Sequence, residues 1–153
     1  MKEQLTFRMA AKKDLDPIVA MLADDALGKG RERYILPLPE SYGQAFRAID
    51  SDPNNELIVA CCEAEVIGVM QLTFTPYLTH QGSWRATIEG VRTSSSVRGQ
   101  GVGTRMIEWA IDRSRERGCS LVQLTTDKQR PEALRFYQKL GFSATHEGMK
   151  LKL

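Results

Sequence analysis

Val97-Arg98-Gly99-Gln100-Gly101-Val102-Gly103-Thr104 stands between a predicted strand, Trp84 to Thr93, and a predicted amphipathic helix, Gly101 to Arg117. Three glycines at alternate positions let the backbone curl tightly and leave its N–H groups unshielded. A helix N-terminus adds positive partial charge at the same place, so the junction suits a phosphate or pyrophosphate. Two phosphate loops are excluded by spacing. A Walker loop needs Gly-Lys-[Ser/Thr], but Gly103 is followed by Thr104 and Arg105. A dinucleotide fingerprint needs Gly-x-Gly-x-x-Gly early in a βαβ unit; here the spacing is Gly-x-Gly-x-Gly, two thirds of the way along. The remaining alternative is a glycine-rich turn without a ligand.

A second motif follows about 30 residues later: Ala133-Leu134-Arg135-Phe136-Tyr137-Gln138-Lys139-Leu140-Gly141-Phe142. Ala133, Phe136, Tyr137 and Leu140 recur at helical spacing, and Gly141 suits a C-cap. Arg98-x-x-Gly101-x-Gly103 together with Ala133-x-x-Phe136-Tyr137-x-x-x-Gly141-Phe142 resembles the GNAT superfamily of acetyl-CoA-dependent N-acetyltransferases. The resemblance is good from Trp84 to Phe142. Before that, only the order of elements matches.

Length and composition fit a single globular domain, which the resemblance implies is one N-acetyltransferase domain over residues 1–153. The chain is 42% hydrophobic and 26% charged, as ordinary globular domains are. A net charge of +2 does not argue for nucleic acid. Arg113, Arg115 and Arg117 straddle Asp112 and Glu116, which suggests a solvated helix face. No segment is long and apolar enough for a membrane, and the N-terminus leads into no signal-peptide core. Cys61, Cys62 and Cys119 make no disulfide framework, which points to a reducing cytoplasm. Neighbours on a strand face opposite ways, and His80 and His146 lack ligand spacing, so no metal is expected.

Periodicity gives the other elements. Gln4 to Ala10 alternates as a strand. Asp14 is placed to cap a helix with Pro17 in its first turn, an apolar face running to Ala26, and a stop at Gly28. Tyr42, Ala45, Phe46 and Ile49 mark a short second helix. Leu57 to Glu63 and Val66 to Phe74 form a hairpin, and Pro76 to Gly82 a loop. Val102, Met106, Ile107, Ala110 and Ile111 turn the long helix to the sheet, and Gly118 stops it. Leu121 to Thr126 is a strand parallel to Trp84–Thr93, and Met149, Leu151 and Leu153 alternate as a last one.

This order matches the resembled fold, an α/β domain of about four helices around a mixed sheet. That sheet is splayed between the strand before the glycine loop and its parallel neighbour. The resemblance implies that the pantetheine arm of acetyl-CoA lies in the opening, pairing with the free edge of Val91, Arg92 and Thr93. The pyrophosphate would sit on amides of Arg98, Gly99, Gln100, Gly101, Val102, Gly103 and Thr104. A backbone N–H near Val91 would face the oxyanion, and Tyr137 would protonate the leaving thiolate. The other reading of Tyr137 is an interfacial tyrosine held by its ring.

Glu89, in Thr87-Ile88-Glu89-Gly90-Val91, looks like the Ile-Glu-Asp-Val strand of some small-amine acetyltransferases, with Gly90 for the aspartate. It could take the amine proton, bind the ammonium, or pair structurally with Arg85 or Arg92. Arg130 stands where the family often has an asparagine. The acceptor, a small-molecule amine or peptide, would meet Gly28–Glu40, with Lys29, Arg31, Glu32, Arg33 and Tyr34, and Pro76–Trp84, with Tyr77, His80 and Trp84. The basic residues of the first segment favour an acceptor bearing a carboxylate or phosphate, whereas Glu89 favours a cationic small amine, and the two hints do not converge. Dimers are common in the family, and the C-terminal strand would offer an edge for a homodimer. The reading from another class is an acyl-CoA-binding regulatory module acting through a protein or DNA partner, for which no basic recognition helix is evident.

Overall fold

The computed structural model describes residues 4–153, in two compact units divided after Gln123. In the first, five strands stand in sequence order, β1 (Leu5–Met9), β2 (Asn55–Cys62), β3 (Glu65–Pro76), β4 (Trp84–Thr93) and β5 (Cys119–Gln123). The first four pair antiparallel. β5 runs parallel to β4, because a helix crosses between them.

Helices α1 (Leu15–Ala23) and α2 (Glu40–Ser51) cover one face of this sheet. There Ile18, Met21 and Phe46 pack with Val59, Cys61 and Val69. α3 (Thr79–Gly82) is a single turn in the β3–β4 connection whose His80, Gln81 and Gly82 all have positive φ. α4 (Val102–Glu116) covers the other face. Trp109 stacks on Phe7 of β1 at 5.5 Å. Met106 lies so close to Gly68 that a Cβ there would stand 2.7 Å from its sulfur.

The second unit contains α5 (Pro131–Lys139). Its end is a Schellman motif. The Gly141 N–H donates to Gln138 O and the Phe142 N–H to Tyr137 O, with Gly141 at φ 97°. The Tyr137 and Phe142 rings meet at 5.8 Å, the hydrophobic contact that accompanies this cap.

The structure corrects four expectations. Met149–Leu153 is no strand; Met149 is 92% exposed and Leu151 87%. Alternation specifies a face but not the neighbour whose ladder makes a strand, and the edge expected for a dimer goes with it. α1 ends at Ala23, so Ala26 lies outside it. Asp14 does not cap α1; its buried carboxylate turns back to the Ala11 N–H at 2.7 Å and to Arg8. Arg113 and Arg117 are no solvated face. Both reach Glu56, buried at the start of β2, and Arg117 also lies over Phe74.

Candidate active site

β4 begins beside β5 and then leaves it. Pairing runs from Trp84↔Cys119 to Thr87↔Gln123 and stops, although β4 continues to Thr93. Ile88 to Thr93 therefore keep β3 on one side, while β5 does not follow them on the other. This is the splay that the resemblance implies.

Within that free stretch β4 is bulged. Val69 pairs with Arg92 and Gln71 with Glu89, so Met70 alone opposes Gly90 and Val91. Gly90 has φ 62°, the left-handed conformation in which an extra strand residue is accommodated. The glycine that departs from the resembled strand thus sits where the backbone conformation favours it. The bulge separates exposed Glu89 from half-buried Val91 and Arg92. Neither structural partner weighed for Glu89 is committed to it. Arg85 lies over the Tyr77 ring at 4.2 Å, and Arg92 Nε is 2.7 Å from Asp25 Oδ2.

After β4 the chain makes one 3-10 turn, Ser95–Val97, with Val97 buried as its anchor. The Val97 N–H closes on Ser94 O, and the Ser94 and Ser96 hydroxyls are 3.0 Å apart, so the serines satisfy the loop locally. Gly99 and Gly101 both have positive φ, 79° and 83°. Gly101 is the N-cap of α4, and its carbonyl takes the first helical bond, from the Arg105 N–H. The N–H groups of Val102, Gly103 and Thr104 form the first turn and so have no acceptor inside the helix. The Gln100 N–H is turned inward to Val97 O. Arg98 does not lean over the loop. Its Nη2 donates to Asp24 O at 2.9 Å and lies 3.6 Å from Asp24 Oδ2.

Asp24 and Asp25 were not singled out by the sequence reading. A signal was present, since two acids at a helix C-terminus oppose its dipole unless cations meet them. The cations are Arg98 and Arg92, and they fix the end of α1 beside the glycine loop. The following segment lies at the same end: a cleft of about 400 Å³ is lined by Tyr34, Asp24, Ser94 and Ser95. From α2 the Tyr42 hydroxyl accepts from the Arg33 N–H of this segment at 3.0 Å and donates to Glu32 at 2.9 Å. Burial first, and then the Glu32 carboxylate, push that hydroxyl above the usual tyrosine range.

The second expected acceptor segment is elsewhere. Pro76 pairs with Trp84 at one end of the β3–β4 ladder, and Gly68 with Thr93 at the other. At roughly 3.3 Å per residue along β3 the two ends are about 26 Å apart. The Pro76–Trp84 connection therefore lies at the far end of the β3–β4 ladder from Thr93, the end at which Tyr34 lines the cleft with Ser94 and Ser95. In the second unit Tyr137 lies on α5, half-buried, with its ring edge-on to Phe136 at 5.0 Å. Arg130 is the N-cap of the same helix.

Residues 22–142 match the Acetyltransferase (GNAT) family model. The aminoalkylphosphonate N-acetyltransferase of Salmonella typhimurium is 29% identical over 139 residues, 91% of this chain and 85% of that protein. The glucosamine 6-phosphate N-acetyltransferase of Trypanosoma brucei brucei is 35% identical over 88 residues, 58% of each. A crystal structure of a transcriptional regulator from Bacillus halodurans C-125 superposes with a TM-score of 0.95. It is 63% identical, with 97% of this chain and 99% of that one covered. With the family match spanning the splayed strand, the glycine loop and the tyrosine helix, this chain belongs to the acetyltransferase (GNAT) family and is an acyltransferase.

Proposed function

We propose that this chain is an acetyl-CoA-dependent N-acetyltransferase whose acceptor is a small primary amine that also carries a phosphonate or phosphate. The similarity to the aminoalkylphosphonate enzyme, across most of both chains, carries the reading. The second relative is named for an amine that is also a phosphate ester. Lys29, Arg31 and Arg33, on the segment that leaves α1 at the glycine-loop end, supply cationic groups suited to such an anion. The family match crosses both compact units, which supports treating 1–153 as one catalytic domain.

The chemistry follows from the groups in hand. Acetyl-CoA places its pyrophosphate on the amides of Val102, Gly103 and Thr104, and its pantetheine arm along Val91–Thr93. An alkylamine is protonated at neutral pH, with an ordinary pKa of about 10. Glu89, exposed on the free stretch of β4, receives its proton directly or through water. The nitrogen then bonds to the acetyl carbonyl carbon, and a backbone N–H at the Val91 bulge stabilises the oxyanion. Collapse breaks the C–S bond, and the thiolate takes a proton from the Tyr137 hydroxyl, a role that rests on its motif; the second proton of the attacking nitrogen leaves as the amide forms and restores the Tyr137 hydroxyl, directly or through water. The products are an N-acetyl amide and CoA, with one net proton released.

The test is calorimetric titration of acetyl-CoA into wild type and Gly101→Glu, followed by thiol release with an aminoalkylphosphonate, its carboxylate analogue and a neutral alkylamine. Binding lost in the variant, with turnover best for the phosphonate, is the expected result. Equal turnover of all three amines would remove the anion from the proposal. The regulatory reading is favoured by one observation, the Bacillus halodurans protein described as a transcriptional regulator. Acetyl-CoA binding without turnover of any amine would select it.

A further inference from the structure

We infer that Asp25 is a positioning residue for acyl transfer, joining the acceptor-side segment to the bulged stretch of β4 through Arg92; this rests on the N-acetyltransferase reading above. Asp25 stands just past the C-cap of α1, Asp24, where the helix dipole disfavours a carboxylate. Each of its oxygens has a separate partner. Oδ1 accepts the Gly28 N–H at 2.5 Å, and Oδ2 lies 2.7 Å from Arg92 Nε.

Both contacts are constrained. Gly28 is pressed against α1, and a Cβ there would fall 2.0 Å from Leu22 O, so residue 28 has no room to shift toward the helix. The Asp25 and Arg92 side chains are only 18% and 15% exposed, which limits screening of their attraction. The neighbouring Asp24–Arg98 pair is about half exposed and longer, 3.6 Å, and should contribute little. The weight therefore falls on Asp25.

Arg92 passes the constraint onward. Its Nη1 donates to Val91 O at 2.8 Å, bracing the peptide that follows the bulge. Gly90, with its positive φ, stands on the other side of Val91. One carboxylate thus sets where the acceptor segment leaves α1 and, through one guanidinium, holds the backbone assigned to the thioester. Asp25 touches no reacting atom in this scheme. It fixes the distance between what binds the amine and what binds the acetyl group, and misplacement by about 1 Å can cost on the order of a hundredfold in rate.

Asp25→Asn keeps an oxygen for Gly28 and removes the charge that holds Arg92. Arg92→Lys keeps the charge and removes the second arm to Val91 O. Both variants would be compared with wild type by amide chemical shifts and hydrogen exchange in the absence of substrate, by thermal unfolding, and by steady-state kinetics with acetyl-CoA and an aminoalkylphosphonate. The expected result in both is displaced Gly90, Val91 and Arg92 amide signals with at least tenfold faster exchange, and unchanged signals on α4. kcat should fall at least tenfold, more than the rise in KM for acetyl-CoA that a displaced Val91–Thr93 backbone brings. Unmoved amides at 90–92 in either folded variant would overturn the proposal, as would moved amides with unchanged kcat. A wild type without turnover would overturn the acetyltransferase reading and this role with it, which is a distinct outcome from a wild type that turns over and variants that match it.

Discussion

Replacing Gly90 separates backbone conformation from side-chain space. Its φ is 62°, and a Cβ built on it meets no atom within 4 Å. Any cost of substitution is therefore conformational. An L-residue in the left-handed region costs roughly 1–2 kcal/mol, less for Asp and Asn and most for β-branched residues. Gly90→Asp, which restores the residue of the resembled strand, should cost under about 1 kcal/mol; Gly90→Val should cost about 2 kcal/mol. For a chain of this length each kcal/mol lowers the melting temperature by roughly 2–4 °C. The expected drops are then under about 4 °C for Asp and about 4–8 °C for Val, read by circular dichroism. The sign for Val is decisive. In an ordinary extended strand it would gain up to about 1 kcal/mol over glycine. A Val variant as stable as wild type, or more so, would refute the bulge and with it the account of why the strand is shaped there.

Three further outcomes are expected. Glu56→Gln leaves Arg113 and Arg117 without their shared carboxylate and should cost about 2 kcal/mol in denaturant unfolding, below the ~3–5 of a fully buried pair because both arginines reach water. The Arg113 hydrogen bond and charge hold the Glu56 carboxyl below its ordinary range, so its stabilisation is complete above about pH 4.3 and is lost as pH falls through the lowered value; the variant should show a shallower acid loss. Gly68→Ala would bring a methyl to 2.7 Å from the fully buried Met106 sulfur and 3.2 Å from Ala60 Cβ. It should cost about 1–2 kcal/mol, and Met106→Ala should be less harmful in that background than in wild type. Tyr137→Phe keeps the ring contacts with Phe136 and Phe142 and removes the proton, so kcat should fall by roughly 10²–10⁴ with acetyl-CoA affinity unchanged by calorimetry.

Local rules carried most of the fold. β4 runs from Trp84 to Thr93 as its pattern predicts, and α4 occupies Val102–Glu116 between the glycines expected to bound it. Gly118 and Gly141 both have positive φ at helix ends, where their position in the sequence puts them. The misses were of one kind. Asp14 has the right chemistry for an N-cap, but Arg8 and the Ala11 N–H lie closer to its carboxylate than the helix amides do. Arg113 and Arg117 look like surface charge until β2 brings Glu56 from 57 and 61 positions away. A periodic pattern states which face is apolar and says nothing about what arrives on the other.

The same division runs through the candidate site. The features assigned to the cofactor are backbone features: positive φ at Gly90, Gly99 and Gly101, a strand that outruns its neighbour, and a helix N-terminus. Glycines and periodicity encode these locally, so they were legible. What fixes the acceptor side is made of side-chain pairs between distant residues. Asp24 meets Arg98 across 74 positions, and Asp25 meets Arg92. Those pairs hold the end of α1, from which Gly28–Glu40 departs, beside the glycine loop, and the register of β3 and β4 puts Pro76–Trp84 about 26 Å along the ladder from Thr93. A sequence pattern could nominate both segments but could not rank them. The ranking carries a chemical consequence. Tyr77, His80 and Trp84 belong to the far end of the ladder, and Lys29, Arg31, Arg33 and Tyr34 to the segment that follows α1. The cleft at the Thr93 end is lined by Tyr34, Asp24 and Glu65, while Lys29, Arg31 and Arg33 stand on the same segment outside that lining, so an anionic group on the amine is the feature that tests whether those cations reach the acceptor.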